Sequence, residues 1–350
     1  MERDAAIVRA VEVWFGANGR VLPWREESSA GVRDAYRSLV SEFMLQQTQV
    51  SRVLEHFEPF LERFPTVEAL ARAREDDVRA VWSGLGYYSR ARRLHEAAKE
   101  IVARFGGVVP REAVVLRTLP GVGRYTAGAV ASIVFGGREA IVDGNVSRVL
   151  QRVDGVAREG KEDWARAGEL VAVARKPGVF NEGLMELGAT VCVPRGPRCG
   201  ECPLRELCVS RAQGTTSQIP IARVRAERRP LYWAAVVGVD GRGRVMLEQR
   251  PAKGLFASMW QVPTVEREDR MPRAAEVRGL VPCRAIEAAG RVSHQTTHRA
   301  IEVRVYRAVG LRATEGRRWV AASERAELAM GNVQSRIVLI GMGRAGAVQC

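Results

Sequence analysis

Four cysteines in one short segment, Cys192, Cys199, Cys202 and Cys208, stand at spacing C-x6-C-x2-C-x5-C. Four thiolates so close along the chain can wrap one metal centre, which suits an iron–sulfur cube or a tetrahedral zinc. Zinc ribbons usually divide their ligands between two C-x2-C knuckles, and only one such pair is present here. Pro194, Pro197 and Pro203 interleave the ligands and leave little room for regular structure. One [4Fe–4S] cluster is therefore the expected cofactor, against the alternative of four unconnected buried thiols. Cys283 and Cys350 lie far from the loop, and no role is assigned to them.

The rest of the chain bounds what such a centre serves. At 350 residues it is long enough for two domains, and a hydrophobic content of 46% makes it globular. No apolar run approaches the roughly 20 residues of a membrane helix. The start, MERDAAIVRA, carries acidic residues and lacks the apolar core of an export signal. A cytoplasmic protein is expected, nucleoid-associated if the source is bacterial, with no membrane partner and a monomeric state. Lys and Arg exceed Asp and Glu by 54 to 40, a net charge of +14, which points to a polyanion such as DNA. Arginines are dense at Arg90–Arg93, around the cysteines (Arg195, Arg198, Arg205, Arg211) and at Arg223–Arg229.

Up to about residue 212 the apolar residues recur three and four apart, as in Ala5–Trp14, Ser51–Phe64, Tyr88–Phe105, Thr126–Phe135 and Glu162–Ala174, which predicts helices. Residues 213–229 are polar and basic without periodicity and read as a linker. From Leu231 the period changes: LYWAAVVGV, a turn at Asp240–Gly243 and RVMLEQR predict a β-hairpin, and Glu302–Ala308 predicts a further strand. The expected domains are thus residues 1–212, helical, with the cysteine loop at 192–208, and residues 230–350, α+β.

Three segments carry chemistry. In LPGVGRYTAGAVAS (Leu119–Ser132), Gly121 and Gly123 allow a tight turn with positive φ ahead of a helix, so that backbone amides and the helix dipole meet a phosphate. Such a grip holds DNA backbone without reading sequence. In VDGNVSRVL, Asp143 is placed to cap a helix, and from there its carboxylate can also face a cleft beside the hairpin. In SEFMLQQTQV, Glu42 is bracketed by Val40, Phe43, Met44 and Leu45. Burial on that apolar face would raise its pKa toward the range a general acid needs; the alternative is a surface Glu on an amphipathic helix.

Taken with LPWR (Leu22–Arg25), GLGYYSRARRL (Gly84–Leu94) and the cysteine loop, these motifs stand in the order found in adenine DNA glycosylases of the MutY type, which the chain resembles over residues 5–212 and more loosely over 230–342. The resemblance implies a mainly α helix-hairpin-helix glycosylase domain, a six-helix barrel plus cluster domain, and a Nudix-like α+β C-terminal domain. It implies a monofunctional enzyme that excises adenine opposite 8-oxoguanine or guanine in double-stranded DNA. Glu42 would protonate the base and then help activate water, and Asp143 would stabilise the oxocarbenium-like sugar. Tyr125 and Asn145 would orient Asp143. Trp24, Arg25 and Glu182 would hold the flipped adenine, and Gln47 and Tyr87 would wedge into the stack.

The rival reading is an endonuclease III-like glycosylase for damaged pyrimidines or G·T mismatches. That family carries a nucleophilic lysine after the hairpin, where this chain has Tyr125, which cannot form an imine. In the C-terminal domain, Glu248–Glu266 resembles the family's Nudix-like segment. The stretch corresponding to a hydrolytic Nudix box keeps only Glu276, so binding without hydrolysis is expected. The loop that in relatives recognises 8-oxoguanine corresponds to Ser293–His298, with Thr297 and His298 as the expected contacts and Thr296 in place of an aromatic residue.

Overall fold

A computed structural model describes residues 2–29, 31–221, 227–311 and 316–343. Cys350 and Arg223 lie outside them. The chain forms two compact units, one of residues 1–73 and 89–223, the other of residues 74–88 and 224–350. No helix among the described residues is long and apolar enough to cross a membrane.

The helices of the first half are α1 (Glu2–Asn18), α2 (Ala35–Leu45), α3 (Val50–Arg63), α4 (Val67–Arg72), α5 (Glu75–Val81), α6 (Ser89–Phe105), α7 (Ala113–Leu116), α8 (Arg124–Ala129), α9 (Gly144–Asp154), α10 (Gly160–Val173), α11 (Pro177–Thr190) and α12 (Val209–Ala212). All but α5 belong to the first unit. In α2 every residue from Ser38 to Met44 is buried, so this helix is enclosed on all sides and Glu42 with it. Its last carbonyls, those of Phe43 and Met44, and that of Gln46 just beyond, accept hydrogen bonds from the buried Arg90 guanidinium of α6. A second core joins α1, α9, α10 and α11 through Val11, Val149, Leu150, Leu170, Phe180 and Leu184. Helix α11 comes very close to α9: a Cβ on Gly188 would stand 2.6 Å from that of Asn145. Only glycine permits that approach, and it brings the acidic face of α11 beside the start of α9.

Residues 74–88 differ from the expected division. They group with the C-terminal residues because Arg79 donates to Ser258 O, Ser83 and Tyr88 donate to Met330 O, and the Tyr87 hydroxyl meets Thr297 Oγ1 at 2.6 Å. The expected linker also differs in its first part: Thr215 N bonds Ser210 O, and Arg152 Nε holds Ile219 O at 2.7 Å.

The second unit is a mixed α+β sandwich, built from β1 (Arg229–Gly238), β2 (Val245–Gln249), β3 (Trp260–Gln261), β4 (Thr264–Arg267), α13 (Ala274–Arg278), β5 (Ala285–Gln295), β6 (Arg299–Val309), β7 (Arg317–Val320), α14 (Ala322–Ala326) and α15 (Asn332–Gly341). One sheet has order β4-β1-β6-β5, with β1 and β6 parallel, and the other has order β3-β2-β7. The expected β1–β2 hairpin is therefore a tight turn, closed by Asp240 on Arg244, whose strands part into different sheets. Both faces of β1 are buried: Leu231, Trp233, Ala235 and Val237 meet α15, while Ala234 and Val236 meet the α13 side. Two-sided burial explains the unbroken apolar run LYWAAVVGV.

Candidate active site

Glu42 and Asp143, 101 positions apart in the sequence, line one cavity in the first unit. Its volume is about 860 Å³ including the open mouth, and Trp24, Arg25, Tyr125, Asn145 and Glu182 share its wall. Trp24 is fixed by an edge-on contact with Phe57 at 5.3 Å.

Glu42 is 8% exposed, and its Oε2 is buried with no hydrogen-bond partner. Burial, with the nearby carboxyls of Glu182 and Asp143, pushes it up to about 8 against the opposing charge of Arg25. At neutral pH it keeps its proton. Asp143 is held differently: Oδ1 caps α9 by accepting from Val146 N at 2.7 Å, and Oδ2 accepts from Asn145 Nδ2 at 3.0 Å. The capping alternative is thus also true, and it fixes the orientation of a carboxylate that still faces the cavity.

The hold on Asp143 extends to the cysteine loop. Arg148 donates to Asn145 Oδ1 (2.9 Å), Gly188 O (2.8 Å) and Cys192 O (2.8 Å). Arg152, one turn further along α9, donates to Val193 O, Pro194 O and Cys192 Sγ. Helix α9 therefore carries the aspartate at one end and anchors the loop at the other.

Tyr125 departs from the expectation. Its hydroxyl donates to Met185 Sδ at 2.9 Å and not to Asp143. Burial first, then the carboxyls of Glu42, Asp143 and Glu182, hold the phenol far above its ordinary pKa, so it stays a neutral donor in the cavity wall. Glu182 has both oxygens engaged, Oε1 by Arg25 Nε (3.0 Å) and Arg33 Nη1 (2.9 Å), and Oε2 by Arg33 Nη2 (2.8 Å). A carboxylate offers about four lone-pair directions, so one remains for a ligand. Sequence reasoning missed Arg20, Arg33, Met185, Glu186 and Arg148. A signal for Glu186 was present: it lies one helical turn after Glu182, on the same face of an otherwise apolar helix.

The hairpin divides its two glycines. Gly121 has φ +77°, and a Cβ there would stand 2.7 Å from Arg93 Cβ and 2.9 Å from Phe43. Gly123 has φ −83° as N-cap of α8, with open space where a Cβ would go, so neither conformation nor packing demands it. Gln47 and Tyr87 are both exposed and both non-glycine residues at positive φ, 56° and 48°.

In the second unit, Thr296 Oγ1 accepts from Arg299 N at 3.0 Å and closes the β5–β6 turn, which leaves Thr297 and His298 exposed at its tip. The Thr296 side chain is thus spent on the turn itself. Glu276 is paired with Arg267 and Arg270 and accepts from Arg273 N.

The four cysteines line a second cavity of about 390 Å³ including its open mouth, whose wall holds apolar residues such as Val149 and Leu187 together with Arg152, Arg198, Arg205 and Arg211, and none of the four is in a disulfide. Among the described residues no three His, Cys, Asp or Glu side chains are drawn together around a single ion. The donor set is four thiols facing one volume, with arginines in the same wall. Burial, aided by the neighbouring Cys192, Cys208 and Cys199, pushes the Cys202 thiol up to about 11.

Comparison with known proteins identifies both domains. Residues 40–172 match the HhH-GPD superfamily base excision DNA repair protein profile, and residues 234–339 match that of the NUDIX domain. Adenine DNA glycosylase of Homo sapiens is 34% identical across 98% of this chain and 76% of its own length. That of Mycolicibacterium smegmatis is 45% identical across 55% of this chain and 65% of its own. Among solved structures, a thermostable thymine-DNA glycosylase is 30% identical with TM-score 0.55, covering 61% of this chain and 98% of its own. An endonuclease III–DNA complex, at 21% identity and TM-score 0.51 over 59% and 94%, shares the fold. Matched over 98% of its own length to a relative 34% identical to it, this chain belongs to the adenine DNA glycosylase family.

Proposed function

We infer that the protein hydrolyses the N-glycosidic bond of adenine opposite 8-oxoguanine, or opposite guanine, in duplex DNA, acting as a monomer in the cytoplasm. The observation that carries this reading is a proton-bearing Glu42 sharing one open cavity with a fixed Asp143.

The target nucleotide has to leave the stack before any side chain reaches it. Gln47 and Tyr87, exposed and already in the left-handed backbone region, are suited to fill the space it vacates. In the cavity the base lies against Trp24. The remaining lone pair of Glu182 accepts a hydrogen from adenine's amino group, and the free N–H groups of Arg25 face its ring nitrogens. Thymine presents a carbonyl oxygen where adenine presents that amine, and a carboxylate repels it, which favours adenine over the pyrimidine alternative. Glu42 gives its proton to adenine N7 and turns the base into a leaving group. Asp143 stabilises the positive charge that develops on the sugar. The Glu42 carboxylate then takes a proton from the attacking water, the two-carboxyl logic of glycoside hydrolysis. Tyr125 is no imine former, and no strand cleavage through a Schiff base is expected.

Cys192, Cys199, Cys202 and Cys208 are the residues that would hold a [4Fe–4S] cluster. When bound it supplies structure and not electrons, since base excision changes no oxidation state. The exposed Arg195 and Arg198 around it, with the Gly121–Gly123 hairpin amides, face phosphate. Thr297 and His298 contact the 8-oxoguanine.

The test is single-turnover release from duplexes containing A·8-oxoguanine, A·G, T·G and thymine glycol. Adenine release from the first two and no base from the others is expected. Release of thymine or its glycol at comparable rates would overturn the reading. Iron and sulfide analysis beside zinc decides the cluster; stoichiometric zinc without iron would replace it.

A further inference from the structure

The catalytic cavity contains three arginines, Arg20, Arg25 and Arg33, and four carboxyl groups, Glu42, Asp143, Glu182 and Glu186. With Glu42 protonated, three positive charges face three negative ones. We propose that Glu186 is a charge-balancing residue that acts through Arg25: by binding Arg20 and Arg25 it keeps the cavity neutral while Glu42 holds its proton, and so sets the pH above which excision fails. The proposal rests on the reading of Glu42 as the acid and adds to it a residue that does not touch the base.

The geometry is specific. Glu186 is 1% exposed, and Oε1 accepts from Arg20 Nε at 2.5 Å and from Arg20 N at 3.3 Å. Oε2 accepts from Arg20 Nη2 at 3.1 Å and Arg25 Nη2 at 3.0 Å. Arg25 in turn spans Glu182, Glu186 and Arg20 O, with its guanidinium 5.0 Å over the Phe15 ring. Burial works against ionisation of Glu186, but the hydrogen bonds and charges of Arg20 and Arg25 outweigh it and hold the carboxyl below its ordinary value. Its two arginine partners thus favour the charged form of Glu186. Its negative charge cancels an arginine that would otherwise draw the proton off Glu42.

The groups around Glu42 leave Glu186 as the adjustable one. The 3-10 turn Pro23–Arg25 presents Arg25, α8 presents the neutral Tyr125, the start of α9 presents Asp143, and α11 presents Glu182 and Glu186. On α6, Arg90 is committed to the carbonyls at the end of α2, and on α3, Glu58 is paired with Arg37. The π-helical turn Val130–Val134 carries no charge. Asp143 and Glu182 are assigned to sugar and base, whereas Glu186 meets only arginines.

The experiment is the pH dependence of single-turnover adenine release from an A·8-oxoguanine duplex. It compares the full-length protein with Glu186→Gln, Arg20→Gln and the double variant. Glu186→Gln should move the descending limb down by about one pH unit, a loss of about tenfold above the limb with little change well below it. Arg20→Gln alone, at a residue near the cavity rim, should move the limb up and serves even if Glu186→Gln folds poorly. The double variant should return the limb to its original place, which a packing role for Glu186 would not produce. A limb that stays fixed in the folded single variants, or a loss at all pH values that Arg20→Gln does not relieve, overturns the proposal. Absence of adenine release by the unmodified protein, or a limb that persists in Glu42→Gln, would instead count against the acid itself.

Discussion

Two glutamates, one in each unit, show how surroundings decide what a carboxyl group is for. Glu42 stands in the buried stretch Ser38–Met44 of α2 and has an oxygen without a partner, and burial with neighbouring carboxyls pushes it up to about 8. Glu276, alone in the stretch corresponding to a hydrolytic Nudix box, is bound by Arg270 and Arg267 and by Arg273 N, and is held down to about 2. The first is left unsatisfied inside the molecule and is available to a substrate. The second is committed at its surface and serves the fold. Functional groups are found where a local rule is broken and structural ones where it is met.

The sharpest way to break this contrast is substitution. Glu42→Gln should reduce adenine release by about 10²–10⁴-fold while retaining duplex binding, because only proton transfer is removed. Asp143→Asn should reduce it comparably. Single-turnover kinetics beside a gel-shift titration separates the two effects, and a matching loss of binding would contradict the assignment.

The second difference lies in stability against pH, where the two residues have opposite sign. The native-state pKa of Glu42 is raised, so its contribution is present below about 4.5 and is lost as pH rises through about 8. Glu42→Gln should therefore raise the melting temperature by several degrees at pH 8 and hardly at all at pH 4. The native-state pKa of Glu276 is depressed, so its contribution is present above about 4.5 and is lost as pH falls toward 2. Glu276→Gln should lower the melting temperature at neutral pH and lose that effect below pH 3. Melting curves over the pH range check both, and parallel curves for the two variants would erase the comparison.

A smaller effect is expected at Arg148, which acts on Asp143 only through Asn145. Arg148→Met should slow release by roughly 10- to 100-fold, the range for outer-shell partners that orient a reacting group. It should also loosen the cysteine loop, seen as faster reaction of its thiols with a thiol reagent. The smallest effect is on excision by Glu276→Gln, whose rate should match the unmodified protein within a factor of two.

Much of this was legible in the chain because each signal was local. The cysteine spacing, the small-residue hairpin and the apolar bracket around Glu42 all lie within single segments. What was hidden depends on which distant segments meet. The Glu182–Glu186 pair reads as a helix face, but its arginine partners come from residues 20–33, more than a hundred positions away. Tyr125 was assigned to Asp143 by resemblance, and its hydroxyl goes to Met185 because α11 approaches α8 there. The hairpin expected of β1 and β2 keeps its turn and one antiparallel bridge, Val239–Val245, before the strands part, because alternation cannot tell whether neighbouring strands stay in one sheet or divide into two. Residues 74–88 read as part of a helical domain, and only their bonds to Ser258, Thr297 and Met330 place them elsewhere.

The most direct test of the central claim is the rate of adenine release from an A·8-oxoguanine duplex, followed in single turnover from pH 5 to pH 10 with the unmodified protein. A buried, proton-bearing Glu42 requires a rate that falls with rising pH through about 8. A rate that stays level or climbs through pH 9 would show that no such proton is spent, and would contradict the account.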